Sequence, residues 1–234
     1  MTTTPKAIVI GATGGIGAAL ARALTGRGHA VTALSRAPGP DGEPALDLTD
    51  EATIAAAAEA LRDQAPFSTI LVTTGLLHAP DVSPERALRD LDAASLTRLF
   101  AVNAIGPALV ARYFVPLLPR EGRCSFAALS ARVGSIGDNR LGGWYGYRAS
   151  KAALNMLIRT LAIELARTRP DAVCVALHPG TVDTGLSKPF QKAVPPERLF
   201  TPDRSATHLL DVLERLGPAQ SGRCFAWDGA EIGP

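Results

Sequence analysis

A four-residue apolar run, residues 7–10, passes into an Ala- and Leu-rich helical segment, residues 15–26, through Gly11-Ala12-Thr13-Gly14-Gly15-Ile16-Gly17. Glycines at this density are useful where the backbone must turn sharply or come unusually close to another group, because any side chain there would collide. Between a strand and a helix, such a turn can lay main-chain N–H groups against a pyrophosphate at the positive end of the helix. The spacing Gly11-x-x-x-Gly15-x-Gly17 differs from the general G-x-G-x-x-G fingerprint, so the strand–turn–helix context carries the argument. A nucleoside-triphosphate loop is excluded, since no Gly-Lys-Ser/Thr follows. Taken alone, the turn also admits a bland reading, a glycine-rich corner that binds nothing.

Beyond this turn, strand-like and helix-like segments alternate. Strands are expected at residues 29–35, 45–48, 68–73, 123–129, 172–177 and 223–226, and helices at 51–64, 93–115, 147–168 and 203–216. Thr49 or Asp50 would cap the helix that opens at Glu51. This succession predicts an α/β fold, a mostly parallel, doubly wound sheet with helices on both faces. A hydrophobic fraction of 47% is ample for its core. Residues 37–44 form the one linker-like stretch, too short to divide domains, so a single domain over residues 1–234 is expected. A formal charge of +2 gives no reason to expect nucleic acid or a membrane surface as a partner. No apolar run in the sequence approaches the length of a membrane span, and Met1 to Lys6 lacks the layout of a signal peptide, which points to the cytoplasm. Cys124, Cys174 and Cys224 read as buried thiols, and the scattered His29, His78, His178 and His208 predict no metal site.

A second motif opens the longest helix: Tyr147-Arg148-Ala149-Ser150-Lys151. Residues four apart share a helix face, so the phenol and the ammonium can point into one cleft. A nearby lysine and a positively charged nicotinamide ring would together favour the phenolate and bring the tyrosine toward working pH. Tyr145 has Ala149 four residues on, so only Tyr147 has the lysine partner. By itself the pair is weak, since a packed tyrosine beside a solvated lysine looks the same.

With these motifs in this order, the chain resembles the short-chain dehydrogenase/reductase family over essentially its whole length, on the side of the carbonyl-reductase-like branch that includes bacterial C-factor signalling proteins. The resemblance implies a seven-stranded Rossmann fold and NADP(H) or, less favoured, NAD(H) as cofactor, with a small carbonyl or alcohol as substrate. Gly11, Thr13, Gly14, Gly15, Ile16 and Gly17 match the cofactor turn, and Asp47-Leu48-Thr49 resembles the motif at the adenine ring. Tyr147 and Lys151 match the catalytic pair; Asn103 matches the asparagine that supports a proton-relay water. The segment with Pro179, Gly180, Val182 and Thr184 matches the stretch at the nicotinamide end.

Two departures stand out. Thr73-Thr74-Gly75 replaces the usual Asn-Asn-Ala-Gly, with Gly75 keeping the close approach. The expected substrate-oxygen serine is Ser130, which has the strand-end context but lies seventeen residues before Tyr147; Ser135 has the usual spacing but sits in a loop. Ser130 is favoured because a strand end fixes a donor better than a loop does. At the second strand's end, Ser35 leaves room for a 2′-phosphate that Arg36 can clamp, so NADPH is expected over NADH. Residues 185–200 are expected to form a short lid, with Trp144 lining the pocket. The leading functional reading is an NADP(H)-dependent carbonyl reductase or alcohol dehydrogenase. The alternative is a nucleotide-binding signalling protein with weak or vestigial chemistry. Helices 93–115 and 147–168 carry apolar residues almost all round, which together with the resemblance predicts a homodimer or homotetramer through them.

Overall fold

The computed structural model describes residues 4–234; Met1–Thr3, part of the N-terminal stretch considered above, lie outside the described residues. Seven strands form one sheet in the order β2-β1-β3-β4-β5-β8-β9. They are β1 (Lys6–Ile10), β2 (Ala30–Leu34), β3 (Thr69–Val72), β4 (Cys124–Leu129), β5 (Ala172–His178), β8 (Cys224–Ala226) and β9 (Glu231–Ile232). All neighbours pair in parallel except β8 with β9. Two further short strands, β6 (Thr181–Val182) and β7 (Leu199–Phe200), pair with each other beside the main sheet.

The near-continuous apolar runs of the strands follow from burial on both faces. Along β1, Ile8 and Ile10 face one core with Ile54, Val110 and Leu154, whereas Ala7 and Val9 face a second core with Leu20, Leu24 and Leu209. The first core lies under α2 (Glu51–Ala60), α4 (Gly106–Phe114) and α5 (Tyr145–Leu165). The second lies under α1 (Gly15–Gly26) and α6 (Pro202–Arg215). Arg27, just after α1, ties these two helices together through Asp211 and Glu214, each at 2.6 Å.

Two expectations need correction. Residues 45–48 form no strand; Leu46 donates a single 2.8 Å main-chain bond to Ser35, and the segment then turns into α2 under an Asp50 cap. The seventh strand is β9, an antiparallel return from β8 too short to show a period. The expected helix over 93–115 is continuous but not uniform: α3 (Ala93–Phe100) joins α4 through a π-helical stretch, Ala101–Ile105. The helical stretch Ala93–Leu117 is long and apolar enough on average to cross a membrane, though Arg98, Asn103 and Arg112 interrupt it. Here it lies along the sheet, with Asn103, Val110 and Phe114 wholly buried.

Since β1 has β2 on one side and β3 on the other, successive crossovers leave β1 in opposite directions. The loops after β1 and β3 therefore part, opening a crevice at the carboxyl ends of the strands.

Candidate active site

That crevice is a cleft of about 640 Å³. Its floor is the turn after β1. Gly11 adopts φ +88°, and its N–H donates to Leu34 O at 2.9 Å, which bends the chain toward α1. A Cβ on Gly17 would stand 2.2 Å from Gly11 O, and one on Gly15 would stand 2.7 Å from the Thr184 methyl. The glycines therefore have a steric reason that the spacing alone could not supply. Gly14 caps α1 without a side-chain bond, leaving the first N–H groups of the helix to the cleft.

Most of the expected cofactor residues line this cleft: the turn from Thr13 to Gly17, Ser35 and Arg36, Asp47 and Leu48, Gly75, Tyr147, Lys151, Pro179 and Thr184. Gly180 and Val182 do not. Gly180 takes φ +78° where a Cβ would crowd Phe200 and Trp227, and Val182 is buried in the β6–β7 pair. They shape the turn that presents Thr184. Asp47 accepts from Thr49 N and Oγ1 at 2.8 and 2.7 Å, which, with Arg36 nearby, holds its carboxyl below the usual range. Arg36 is exposed and makes no ion pair among the described residues.

Tyr147 and Lys151 occupy the first two turns of α5. The Lys151 ammonium donates to Leu129 O at 2.8 Å and lies 5.9 Å from the centre of the Tyr147 ring. Both are buried, and burial governs their titration: the phenol is pushed up to about 12 and the ammonium is brought down to about 8. Desolvation of the phenolate alone sets the direction for Tyr147; the downward shift is expected from Lys151 and a charged nicotinamide ring acting together.

Asn103 sits in the π-helical stretch, wholly buried beneath the cleft. Its Nδ2 donates to Leu76 O at 2.7 Å and to Ser150 Oγ at 3.1 Å, while Leu76 N donates to its Oδ1 at 2.8 Å. It thereby fastens the loop after β3 to α5. A Cβ on Gly75 would lie 3.7 Å from both Asn103 Oδ1 and Lys151 Nζ, so the three groups meet at one point.

Ser130 lines the cleft, but its hydroxyl donates to Asn155 Oδ1 at 2.7 Å. Ser135 lies away from the cleft and bonds Pro234 O and Asp138 N. Ala131 packs directly with Leu77 and Tyr147, and Val133, Trp144, Leu186 and Phe190 close around them. Phe190, on a short 3-10 helix in the expected lid, meets Trp144 edge-on at 5.1 Å. Sequence reasoning missed Thr74, whose buried Oγ1 has no partner among the described residues and which lines the cleft, and Asn155, the partner of Ser130. Nothing in its local sequence marks Asn155, whereas Thr74 stands in the Thr73-Thr74-Gly75 departure, where Gly75 alone is expected as a site residue. The glycine cradle, the uncapped start of α1, the unpartnered Thr74 hydroxyl and the free Arg36 together suit a phosphorylated dinucleotide.

The model of the short chain dehydrogenase family matches residues 5–195. The chain is 33% identical, over 95% of its length and 96% of the relative's, to a 1-hydroxy-2-glutathionyl-2-methyl-3-butene dehydrogenase of Rhodococcus sp. (strain AD45). It is 38% identical to the C-signal of Myxococcus xanthus, over 62% of its length and 82% of the relative's. The fold superposes on an NADPH-bound carbonyl reductase from chicken fatty liver with a TM-score of 0.82, at 25% identity and full coverage of both chains.

Proposed function

Because the chain belongs to the short-chain dehydrogenase family, we propose that its cleft holds NADP(H) while Tyr147 exchanges a proton with the oxygen of a small carbonyl or alcohol substrate. The protein is an NADP(H)-dependent oxidoreductase of the short-chain type. The observation that carries this reading is the convergence of Tyr147 and Lys151 on the cleft built by the glycine turn. The chemistry that NADPH would supply in this cleft is a hydride for the carbonyl carbon.

The residues of the chain do the rest. Gly11 to Gly17 and the start of α1 hold the pyrophosphate, Asp47 and Leu48 border the adenine, and Arg36 with Ser35 receives the 2′-phosphate. Pro179, Thr184 and Gly75 border the nicotinamide end, with Gly180 and Val182 shaping the turn. Tyr147, a phenol that keeps its proton at neutral pH and whose burial pushes it further up, is the acid in the reductive direction. Ser130 rotates from Asn155 to donate to the substrate oxygen, and Lys151 contacts the cofactor ribose. Asn103 keeps the Leu76 loop against α5 and would support the water that returns a proton to Tyr147, as the resemblance implies.

Resemblance to the C-signal supports a second reading, a nucleotide-binding signalling protein with weak or vestigial chemistry. The complete Tyr147, Lys151 and Asn103 set favours turnover. Titration with NADPH and NADH, followed by a panel of aldehydes and ketones, separates the two. Tight NADPH binding with reduction of at least one carbonyl, lost in Tyr147→Phe, is the expected result; binding without turnover favours the signalling reading. Arg36→Ala should weaken NADPH about tenfold or more and leave NADH unchanged. We further place the protein in the cytoplasm, as one catalytic domain over residues 1–234 that pairs through α3–α4 and α5.

A further inference from the structure

We infer that Glu85 is a positioning residue of this reaction, clamping the turn from which the catalytic helix starts, with Arg148 as the second half of the clamp. The inference rests on the oxidoreductase reading above.

Glu85 lies in the irregular segment between β3 and α3, far from Tyr147 in sequence, yet it is only 2% exposed. Burying a carboxyl group is costly unless hydrogen bonds compensate. Here the Gly146 N–H faces both of its oxygens, at 3.2 and 3.3 Å. Its main-chain carbonyl accepts from Trp144 N at 2.6 Å. One residue thus holds the chain on either side of Tyr145, at the mouth of α5.

The mouth of α5 needs holding. Gly142, Gly143 and Trp144 have φ of +63°, +64° and +53°, a left-handed run that ends on a bulky residue. Such a backbone persists only where its surroundings impose it. Trp144 caps the helix without any side-chain bond of its own. Arg148 grips the run from the other side: Nε donates to Gly143 O at 3.0 Å and Nη2 to Gly142 O at 3.2 Å. Gly146 has no room for a side chain, since a Cβ would stand 2.6 Å from Leu99 Cδ1 and 2.8 Å from Glu85 Oε1. The carboxyl group therefore lies directly on the backbone of the residue before Tyr147.

The same turn aims the Trp144 ring at Tyr147, edge-on at 6.2 Å, and at Phe190. Without Glu85, the first turn of α5 can shift and carry the phenol with it. A displacement of about an ångström at a reacting group can cost about a hundredfold in rate. An ordinary helix cap would instead contribute stability and nothing else.

Glu85→Ala, Glu85→Gln and Arg148→Met separate these readings. With 4-nitrobenzaldehyde and NADPH, Glu85→Ala should lower kcat tenfold to a hundredfold while NADPH affinity stays within twofold. Glu85→Gln retains an acceptor for Gly146 N–H and should recover most of the rate. Amide exchange should speed up at least tenfold at residues 144–147 and not in β4 or β5. An unchanged kcat per folded molecule in Glu85→Ala overturns the inference. So does a parallel loss of rate, NADPH affinity and melting temperature that glutamine fails to repair. Should Glu85→Ala not fold, Arg148→Met decides: a lower kcat with NADPH affinity kept upholds the clamp, and an unchanged kcat overturns it. If the wild type reduces no carbonyl compound, the proposed function itself falls. The exchange pattern then decides the clamp alone, upheld if confined to 144–147 and overturned if spread through the sheet.

Discussion

The Tyr147 phenol and the Lys151 ammonium are moved toward their neutral forms by burial, in opposite directions along the pH scale. For Lys151 this has a measurable sign. Between about 8 and its ordinary 10.5, the unfolded chain binds more protons than the folded one, so this residue makes stability rise with pH across that window. Lys151→Met lacks the term, and its stability relative to wild type should therefore decline steadily from pH 8 to 10. Buried Cys124 and Cys174, whose thiols are pushed up by burial, act in the opposite direction at high pH but cancel between the two proteins. Cys224, also pushed up by burial, feels the Lys151 charge and belongs to the same difference. Urea unfolding at several pH values reads the difference; a constant gap would mean that Lys151 does not lose its proton there. For the substrate oxygen, Ser130→Ala should cost about a hundredfold in kcat and Ser135→Ala less than threefold. The reverse order would move the donor to the loop. The Tyr147–Lys151 pair was legible because its spacing is local to one helix turn. Glu85, Asn155 and Thr74 were not, since each acts on a residue that is distant in sequence or on a ligand, and no period or spacing records such a meeting.

Helices and buried strands were legible for the same local reason. Residues 15–26 were read as they stand, and the strands at 69–72, 124–129 and 172–178 differ from expectation by a residue or so at their ends. The failures are at short elements. Leu46 and Leu48 are buried and apolar, and so looked like a strand, but they fill a core without pairing. Strand β9 exists only because β8 is beside it. The start of α5 was set two residues late because its first turn is fixed by contacts from outside the helix. The turn into α1 gives the sharpest prediction at this scale. Gly17→Ala would place a methyl 2.2 Å from Gly11 O, a main-chain atom that cannot swing aside. We expect a loss of about 1–3 kcal/mol in stability and more than tenfold in NADPH affinity, read by thermal melting and by titration. Wild-type affinity would mean that the turn yields.

At the scale of the molecule, Ile105 is 52% and Met156 66% exposed, on the same two helices whose apolar residues left little polar face, and Leu157 and Ile163 are exposed as well. Apolar side chains clustered on paired helices fit a surface covered by a second copy of the chain. Sedimentation at micromolar concentration should find a dimer that persists in 1 M salt, since such an interface depends little on ion pairs. Ile105→Glu with Met156→Glu should give a monomer; a monomeric wild type would overturn the pairing. The opposite face has a consequence of another kind. Ala7, Val9, Leu20 and Leu24 complete their core only with Leu209 and Leu213 of α6, and the Arg27 clasp joins α1 to the same helix. During synthesis, then, the first strands emerge with one side of the sheet still open to water. That side closes only when residues 202–215 join the fold. Until then the nascent chain carries a sticky, half-covered sheet, so its yield in the cell should depend on chaperones that shield the growing polypeptide more than on the stability of the finished enzyme.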